Sequence, residues 1–210
     1  MDVVFLRSNE LNWEYNFERA KSIVGNDIKL IDGSSAGSVK KAYELVVRAV
    51  DTEYFMMIEA DNYLHDNCAK WIGTQEKLKF FTDNKYGVQY EHGGVKIMQR
   101  TECIKQLRTN SQIHDNFEVN VNMFLTSVPI VVSNHSFNWS RRNEWMTIAR
   151  ELIKLHYWGK QDHIDMWIAH EYPSKVYGHI LKITENVGFT ELFTEVLPNL
   201  GNIYDRATKK

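Results

Sequence analysis

Two carboxylates, Glu59 and Asp61, stand one residue apart directly after the apolar run Tyr54 to Ile58. In an extended chain, alternate side chains project to the same side, so both acids can face one hard divalent cation. A diphosphate bound to that cation would complete its coordination shell. An isolated pair of acids of this kind more often lies in a solvated loop. Whether Glu59 and Asp61 form a metal site therefore depends on which secondary-structure element precedes them.

The first 65 residues alternate between short apolar runs and amphipathic segments. The runs Asp2 to Leu6, Ile28 to Ile31 and Tyr54 to Ile58 predict strands, and Trp13 to Val24 suits a helix. Ser38 can cap a second helix, whose apolar residues recur at spacings of three and four up to Val50. This pattern predicts an α/β fold with a mostly parallel central sheet flanked by helices and a Rossmann-like amino-terminal half.

All three predicted strands end in polar or small residues, and ligands of parallel sheets bind beyond the carboxyl ends of the strands. We therefore expect one ligand-binding site, built from Ser8, Asn9, Asp32, Gly33, Glu59, Ala60 and Asp61.

The remainder of the chain is less regular. We expect a strand or turn at Tyr86 to Tyr90, a strand at Val95 to Met98, an alternating stretch from Phe117 to Met123, and a strand at Val128 to Val132. A polar, aromatic loop from Ser133 to Trp139 would follow. Because no linker or repeat is evident, we expect a single domain, 1–210, with the strand-end site in residues 1–65.

Composition narrows the functional classes. A net charge of −2 over 210 residues argues against a protein that coats nucleic acid non-specifically. The aliphatic runs are far shorter than the roughly 20 residues of a membrane helix, and the amino terminus lacks the features of a signal peptide, so we expect a cytoplasmic protein without a membrane partner. Cys68 and Cys103 show no metal-ligand spacing and are expected to be reduced thiols in or near the core.

Gly93-Gly94 suits either of two roles. Without a Cβ, backbone amides can approach a phosphate or sugar closely, and Lys96 would add positive charge beside them. A tight hairpin turn explains the same pair.

A helix around Glu151 combines an apolar stripe with acids on its margin. Glu144 and Glu151 lie along the edge of a stripe formed by Trp145, Ile148, Leu152 and Leu155. A carboxylate in that position can lean over a cleft and act as a general base. A surface ion pair with Lys154, three residues away, explains Glu151 equally well.

From Ser133 to Lys160 the chain interleaves aromatic and basic residues, which suits an acceptor containing bases, sugars or phosphates. Candidate acceptor-binding residues are Trp139, Arg141, Arg142 and Trp145. The same pattern is explained by a helix whose aromatic residues are buried in the core and whose basic residues face the solvent.

The order of these segments resembles a known family. Asp2 to Glu10, Asn16-Phe17-Glu18, Asp32-Gly33, Ala42 and Tyr54 to Asp61 together resemble the amino-terminal half of GT-A-fold glycosyltransferases. The resemblance is to a small phage-encoded family in which an SYNE-like segment precedes a strand ending in a DxD-type motif. Because that motif reads Glu59-Ala60-Asp61 here, Asp61 is the expected metal ligand and Glu59 the expected water-mediated partner.

The resemblance continues beyond residue 65 and implies one domain with a nucleotide-binding half (1–65) and an acceptor-binding half (66–210). Tyr90 to Lys96 resembles the family's YGYGGIKL segment, which implies that His92, Gly93, Gly94 and Lys96 contact the donor. The spacing Trp145-x4-Arg150-Glu151-x2-Lys154-Leu155 matches its W…FRE..KL segment, which implies catalytic roles for Glu151, as the base, and Arg150. A late histidine supplies a third metal ligand in many enzymes of this fold, and the candidates are His163, His170 and His179.

The activity implied is transfer of a sugar from a nucleotide-sugar, a UDP-sugar by expectation, with Mn²⁺ or Mg²⁺. DNA carrying a hydroxymethylated pyrimidine is the implied acceptor, with the target base flipped out of a duplex, in a host cytoplasm if the protein is phage-encoded. Alternatives are a saccharide, lipid or protein acceptor, a nucleotidyltransferase, or a noncatalytic binding module. A nucleotidyltransferase is expected to carry a glycine-rich basic loop after the first strand, and Ser8 to Asn12 is not one.

Overall fold

The computed structural model describes residues 1–108, 121, 124–135 and 141–187. The chain divides into two compact units, Met1–Ser136 and Phe137–Lys210. The predicted alternating stretch from Phe117 to Met123 lies outside the described residues, apart from Val121.

The first unit contains seven described strands, three α-helices and a short 3₁₀ helix at Asp66–Trp71. In chain order, the elements are β1 (Asp2–Arg7), α1 (Trp13–Val24), β2 (Lys29–Asp32), α2 (Val39–Ala49), β3 (Tyr54–Glu59), β4 (Asn62–Leu64), β5 (Leu78–Asp83), β6 (Tyr90–Gln99), α3 (Arg100–Arg108) and β7 (Thr126–His135). Because β7 belongs to the same sheet, this unit extends to Ser136.

The seven strands form one mixed sheet in the order β2-β1-β3-β6-β5-β7-β4. Strands β2, β1 and β3 are mutually parallel, as predicted. The sheet continues beyond β3 through antiparallel β6 and β5, and β7 then runs parallel to β5. The predicted α/β class and its Rossmann-like amino-terminal half are confirmed.

Strand alternation buries both faces of the parallel core. Val3 and Phe5 point to the face covered by α1, where Ala20 is buried, whereas Val4 and Leu6 point to the face covered by α2. Burial on both faces explains why β1 and β3 are continuously apolar in sequence. Helix α2 begins where expected, because the Ser38 hydroxyl accepts a hydrogen bond from the Lys41 amide at 3.3 Å.

Strand β6 carries a bulge. Lys79 of β5 pairs with Lys96 and Phe81 pairs with Glu91, so a step of two residues in β5 faces a step of five in β6. Gly93 lies in this bulge with a φ of +73°, a conformation that favours glycine. The hairpin turn considered for Gly93-Gly94 is therefore wrong, because both glycines lie inside one strand.

The described part of the second unit consists of helices α4 (Arg141–Tyr157), α5 (Gln161–Ile168) and α6 (Glu171–Val187). The predicted stripe on α4 is its buried face: Trp145, Ile148 and Leu152 are buried and Leu155 is partly buried. No helix among the described residues of either unit is long and apolar enough to span a membrane.

Candidate functional site

An open cavity of about 360 Å³ lies beyond the carboxyl ends of β1, β2 and β3. It is lined by the ends of β1 and β3, by the loops that follow β1 and β2, and by the start of α2. The lining residues are Leu6, Arg7, Ser8, Asn9, Glu10, Gly33, Ser34, Gly37, Ser38, Val39, Ala42, Tyr43, Glu59 and Asp61.

Five residues predicted to bind a donor line this cavity: Ser8, Asn9, Gly33, Glu59 and Asp61. Gly33 lies close to its neighbours, since a Cβ there would be 3.1 Å from the Arg7 carbonyl oxygen and 3.2 Å from the Ala42 Cβ. Ala60 is buried behind the wall, where its carbonyl oxygen accepts a hydrogen bond from the Asn16 amide at 2.7 Å.

Asp32 acts through its neighbours. Its carboxylate accepts hydrogen bonds from the Ser34 hydroxyl at 2.6 Å and the Ser34 amide at 2.9 Å, and it forms an ion pair with Arg7. The Ser34 contacts, followed by that with Arg7, hold the pKa of Asp32 below its usual value. The Arg7 guanidinium also lies 4.5 Å from the centre of the Trp13 ring. Asp32 therefore fixes the position of two cavity residues, Arg7 and Ser34.

Glu59, at the end of β3, is paired with a buried cation. The Lys96 ammonium donates to the Glu59 Oε1 at 2.9 Å and to the Tyr43 hydroxyl at 2.8 Å. The Lys96 side chain is 0% exposed, and that of Glu59 is 19% exposed. A charge buried to this degree requires a charged partner, because desolvation costs several kcal/mol per ion. Glu59 serves as that partner.

Asp61 lies two residues further along and has different contacts. Its Oδ1 accepts a hydrogen bond from the Asn62 amide at 2.7 Å, and its Oδ2 lies 3.0 Å from the His135 Nε2. The Tyr90 hydroxyl lies 2.5 Å from the other ring nitrogen of His135, Nδ1. The ammonium beside Glu59 carries a full positive charge, whereas the Asn62 amide is uncharged and the His135 imidazole orients the Asp61 carboxylate through a ring nitrogen.

The contacts of Asp61 continue into the sheet. The Asn62 Oδ1 accepts from the Ser133 hydroxyl at 3.0 Å, and the Thr82 hydroxyl donates to the Ser133 carbonyl oxygen at 2.8 Å. Asn62, Ser133 and Thr82 are all buried. We name the set formed by Thr82, Tyr90, Asn62, Ser133 and His135 the Asp61 clamp.

Gly94 makes room for this clamp. A Cβ on Gly94 would lie 2.7 Å from the Asn62 Cγ and closer still to its amide nitrogen. In the part of the chain that the structure describes, the residues lining the cavity do not include Gly93, Gly94 or Lys96. The missing Cβ of Gly94 thus admits the Asn62 amide from within the protein, and contact between these β6 residues and a donor stays a prediction. The side chain of His92 is outside what the structure describes.

Glu10 is a cavity residue that the sequence did not single out as a site residue. Its carboxylate accepts a hydrogen bond from the Ser8 amide at 2.6 Å. Burial raises the pKa of Glu10 above its usual value, and the negative charge of Asp61 raises it further. Two acids thus influence each other across one cavity, an arrangement that a bound cation would relieve.

The remaining predicted residues lie in the second unit. Glu151 is buried and accepts a hydrogen bond from the Lys154 ammonium at 3.2 Å, which is the pair considered from the sequence. Trp145 is buried within its unit, and Arg150 is exposed. Arg141 and Arg142 begin α4, whereas Trp139 lies outside the described residues.

The three histidines proposed as a third metal ligand lie in or beside α5 and α6. His163 and His179 lie in helices and His170 directly precedes one. Across residues 1–108, 121, 124–135 and 141–187, no group of three or more His, Cys, Asp or Glu side chains is arranged to hold a metal. Cys68 and Cys103 are buried free thiols, as expected, and burial raises the pKa of each to about 12.

His135 and Tyr90 were missed as partners of Asp61. A signal was present in the sequence: Ser133 and His135 are polar residues at strand spacing directly after an apolar run, the same pattern as Glu59 and Asp61. Tyr90 gave no comparable signal, because an aromatic residue in a strand is usually part of the core.

The cavity can hold a divalent cation that has few protein ligands. Mg²⁺ typically takes one or two carboxylates and completes its shell with substrate phosphates and water. Asp61 is oriented by its clamp and its side chain is 21% exposed, so its oxygens are accessible from the cavity wall. Glu59, already paired with Lys96, is less suited to direct coordination.

No protein-family model matches this sequence, and no curated protein matches it. Several solved structures are similar in part. Mannosyltransferase PcManGT from Pyrobaculum calidifontis, in complex with GDP-Man and Mn²⁺, is 9% identical over 99% of this chain and 87% of that chain, with a TM-score of 0.48. A glycosyltransferase involved in glycosylation of the major capsid of PBCV-1 is 11% identical over 62% and 83%, with a TM-score of 0.42.

The bifunctional IspDF from Campylobacter jejuni is 10% identical over 67% of this chain, with a TM-score of 0.40. The present chain spans about half of that protein, 51% of its length. Because identities and scores are low, the functional argument rests on the residues of the cavity itself.

Proposed function

We propose that this protein is a metal-dependent glycosyltransferase that uses a nucleotide-sugar donor. The observation that carries the proposal is the cavity at the carboxyl ends of three parallel strands, where Ser8, Asn9, Gly33 and Asp61 meet. These residues belong to the segments whose order resembles GT-A-fold glycosyltransferases. The geometry and the resemblance select the same strand ends.

The cavity offers distinct groups to the parts of a nucleotide-sugar. Arg7 supplies a guanidinium held by Asp32, suited to hydrogen-bond acceptors of a base or diphosphate. The segment that leads into α2, Gly37 to Val39, lines another part of the wall, and a helix amino terminus favours a negatively charged group. Together they can bind and orient a donor of high negative charge.

Asp61 would hold the divalent metal, Mn²⁺ or Mg²⁺. Such an ion, when bound, stabilises the negative charge that develops on a departing diphosphate. The chain's own contribution is to fix the Asp61 carboxylate at the cavity wall and to exclude water from its buried side. Glu59 contributes by neutralising Lys96, which keeps the end of β3 in place.

We propose a UDP-sugar as donor and a hydroxymethylated pyrimidine in DNA as acceptor. The resemblance to phage-encoded enzymes supports both choices. Arg150, Tyr157, Trp158 and Lys160 are exposed, and they supply the basic and aromatic groups that suit nucleic acid. In this proposal Glu151 deprotonates the acceptor hydroxyl, and Arg150 assists it. Trp145, which is buried, contributes through packing.

The test is incubation with UDP- and GDP-sugars, Mn²⁺ or Mg²⁺, and duplex or single-stranded DNA containing hydroxymethylcytosine. Unmodified DNA of the same sequence is the control. We expect nucleoside diphosphate release that needs both the metal and the hydroxymethyl group, with the sugar mass added to the DNA. Release that is the same with unmodified DNA would overturn the DNA acceptor while leaving the transferase activity standing.

The same assay separates the chemical classes. A glycosyltransferase releases a nucleoside diphosphate, whereas a nucleotidyltransferase acting on a nucleoside triphosphate and a sugar phosphate releases pyrophosphate. Detection of pyrophosphate, or of no turnover with any donor, contradicts the proposal. Asp66→Asn serves as a control variant, because Asp66 is an exposed acid whose ion pair with Arg19 lies outside the cavity wall.

A further inference from the structure

Both oxygens of Asp61 accept hydrogen bonds from defined partners. Oδ1 accepts from Asn62, and Oδ2 faces the His135 Nε2. Because an ionised carboxylate only accepts hydrogen bonds, the proton between Asp61 and His135 belongs to Nε2. When Nε2 carries the only ring proton, Nδ1 is the acceptor for the Tyr90 hydroxyl, which lies 2.5 Å away. The chain Tyr90, His135, Asp61 is therefore a directed relay of donors that ends on the carboxylate.

His135 lies behind Asp61 as seen from the cavity. The His135 side chain is 4% exposed, whereas that of Asp61 is 21% exposed. Asp61 lines the cavity, and His135 and Tyr90 are not among the described residues that do so. An ion bound in the cavity would thus meet Asp61 first, with the imidazole on the far side of the carboxylate.

The sequence maintains this arrangement at some cost. Three polar side chains, Asn62, Ser133 and Thr82, are buried beside it, and burial of polar groups is unfavourable unless they are hydrogen-bonded. Position 94 in the β6 bulge must be glycine, because any Cβ there would overlap the Asn62 side-chain amide. Buried networks of this kind fix a single rotamer when every member is satisfied.

We propose that His135 and Tyr90 are positioning residues that orient Asp61 toward the metal, and that His135 itself is not a metal ligand. This inference rests on the proposed function, because it assumes that Asp61 binds a cation. The Asp61 clamp holds the Asp61 side chain in one rotamer before the metal binds. Binding therefore carries no further entropy cost for ordering that side chain. Residues that hydrogen-bond to metal ligands typically change metal affinity by about 10-fold to 100-fold when they are replaced.

The experiment compares two replacements of His135. Gln places an amide nitrogen at about the reach of Nε2 and can still donate to Asp61, whereas Leu fills similar space without a donor. The affinity of the full-length protein for Mn²⁺ in the presence of UDP is measured by electron paramagnetic resonance. We expect the Kd for Mn²⁺ to rise about 10-fold to 100-fold in His135→Leu and to remain within about 3-fold of wild type in His135→Gln.

Tyr90→Phe removes the outer member of the relay. It deletes one hydroxyl and leaves the ring, so a loss of about 3-fold to 10-fold in Mn²⁺ affinity is expected, the equivalent of one neutral hydrogen bond. Thermal unfolding without metal is measured for all three variants. If His135→Leu does not fold, Tyr90→Phe and His135→Gln still test the proposal.

Nitrogen coordination is tested directly in wild type. Electron spin echo modulation of bound Mn²⁺ detects a ligating imidazole through its ¹⁴N coupling. We expect no ¹⁴N coupling from His135. A ¹⁴N coupling that disappears in His135→Gln, or a Kd unchanged in both His135→Leu and Tyr90→Phe, overturns the positioning role while leaving the metal site intact. Wild-type protein that binds no Mn²⁺ with UDP overturns the proposed function, and the positioning role with it.

Discussion

Glu59 and Asp61 form one short motif, yet the fold gives them opposite surroundings. Glu59 is bound by the ammonium of a fully buried lysine, and Asp61 is bound by an amide and an imidazole. The first contact pairs two full charges, and the second pair of contacts fixes the Asp61 carboxylate at the cavity wall. Spacing along a strand therefore specifies where acids are placed, and the strands packed beside them specify what the acids can do.

The two neighbouring strands that create this difference are β6 and β7. Lys96 comes from β6, beyond the bulge that contains Gly93 and Gly94, and His135 is the last residue of β7. A motif composed of two similar residues can thus be divided into a structural member and a ligand-binding member. The predictions below test that division, beginning with the largest effect.

Replacing Asp61 is expected to have the largest effect. Asp61→Asn keeps the shape of the side chain but removes the charge, so turnover with a nucleotide-sugar and Mn²⁺ should fall by about 1,000-fold, since metal stabilisation of a leaving group contributes several kcal/mol. Steady-state kinetics measure the loss. Asp66→Asn should retain wild-type turnover. Equal losses of turnover in both variants would show that the effect does not depend on the position of Asp61 and would contradict its role as metal ligand.

Breaking the Glu59 and Lys96 pair should affect stability before it affects metal binding. Lys96→Met leaves the Glu59 carboxylate without its ammonium partner, and the free energy of unfolding should fall by about 3 kcal/mol. Urea unfolding measures this value. The double variant Glu59→Gln with Lys96→Met should recover part of the loss, because no charge is then left unpaired. A double variant as unstable as the sum of the two single variants would contradict the pairing.

Replacing a third carboxylate, Asp2, is expected to have the smallest effect on stability. Asp2 is not among the residues that line the cavity, so it serves as a reference for the two acids of the motif. Burial alone would raise the pKa of Asp2, but hydrogen bonds from the Asp51 and Thr52 amides, together with Lys29, outweigh it and lower the pKa to about 2. Because the folded-state pKa lies below the ordinary value of 3.8, the stabilisation is complete above pH 3.8 and is lost as the pH falls toward 2.

Asp2→Asn should therefore lower the free energy of unfolding by about 1 kcal/mol at neutral pH, allowing for solvent screening. The difference from wild type should shrink as the pH falls below 3.8. Turnover should not change. A difference that is constant between pH 7 and pH 3 would mean that the Asp2 charge is not the source of the stabilisation.

Local patterns predicted the amino-terminal half of the fold well. Helix α1 runs from Trp13 to Val24 as expected, Ser38 caps α2, and the three parallel strands are where the apolar runs placed them. These elements are determined by periodicity and capping, which act over a few residues. The five predicted residues that line one cavity follow from the rule that parallel strands share a carboxyl edge.

Long-range pairing limited what the sequence could reveal beyond residue 65. Strand β5, at Leu78–Asp83, was not predicted, and the interpretation of Gly93-Gly94 as a hairpin overlooked a bulge defined by the register with β5. The contact between Asp61 and His135 joins residues 74 positions apart. Such contacts depend on strand order, which no local pattern specifies. The catalytic roles of Glu151 and Arg150 stay predictions.

The most direct test of the account is the Kd for Mn²⁺ in the presence of UDP, compared between Asp61→Asn and Glu59→Gln. We predict that Asp61→Asn raises this Kd by more than about 100-fold, beyond the range typical of residues that only contact a ligand. We predict that Glu59→Gln leaves it within about 3-fold of wild type in the folded protein, because Glu59 is engaged by Lys96 and the glutamine oxygen can still accept from that ammonium. An equal loss in both variants, or a larger loss in Glu59→Gln, would contradict the assignment of the metal to Asp61.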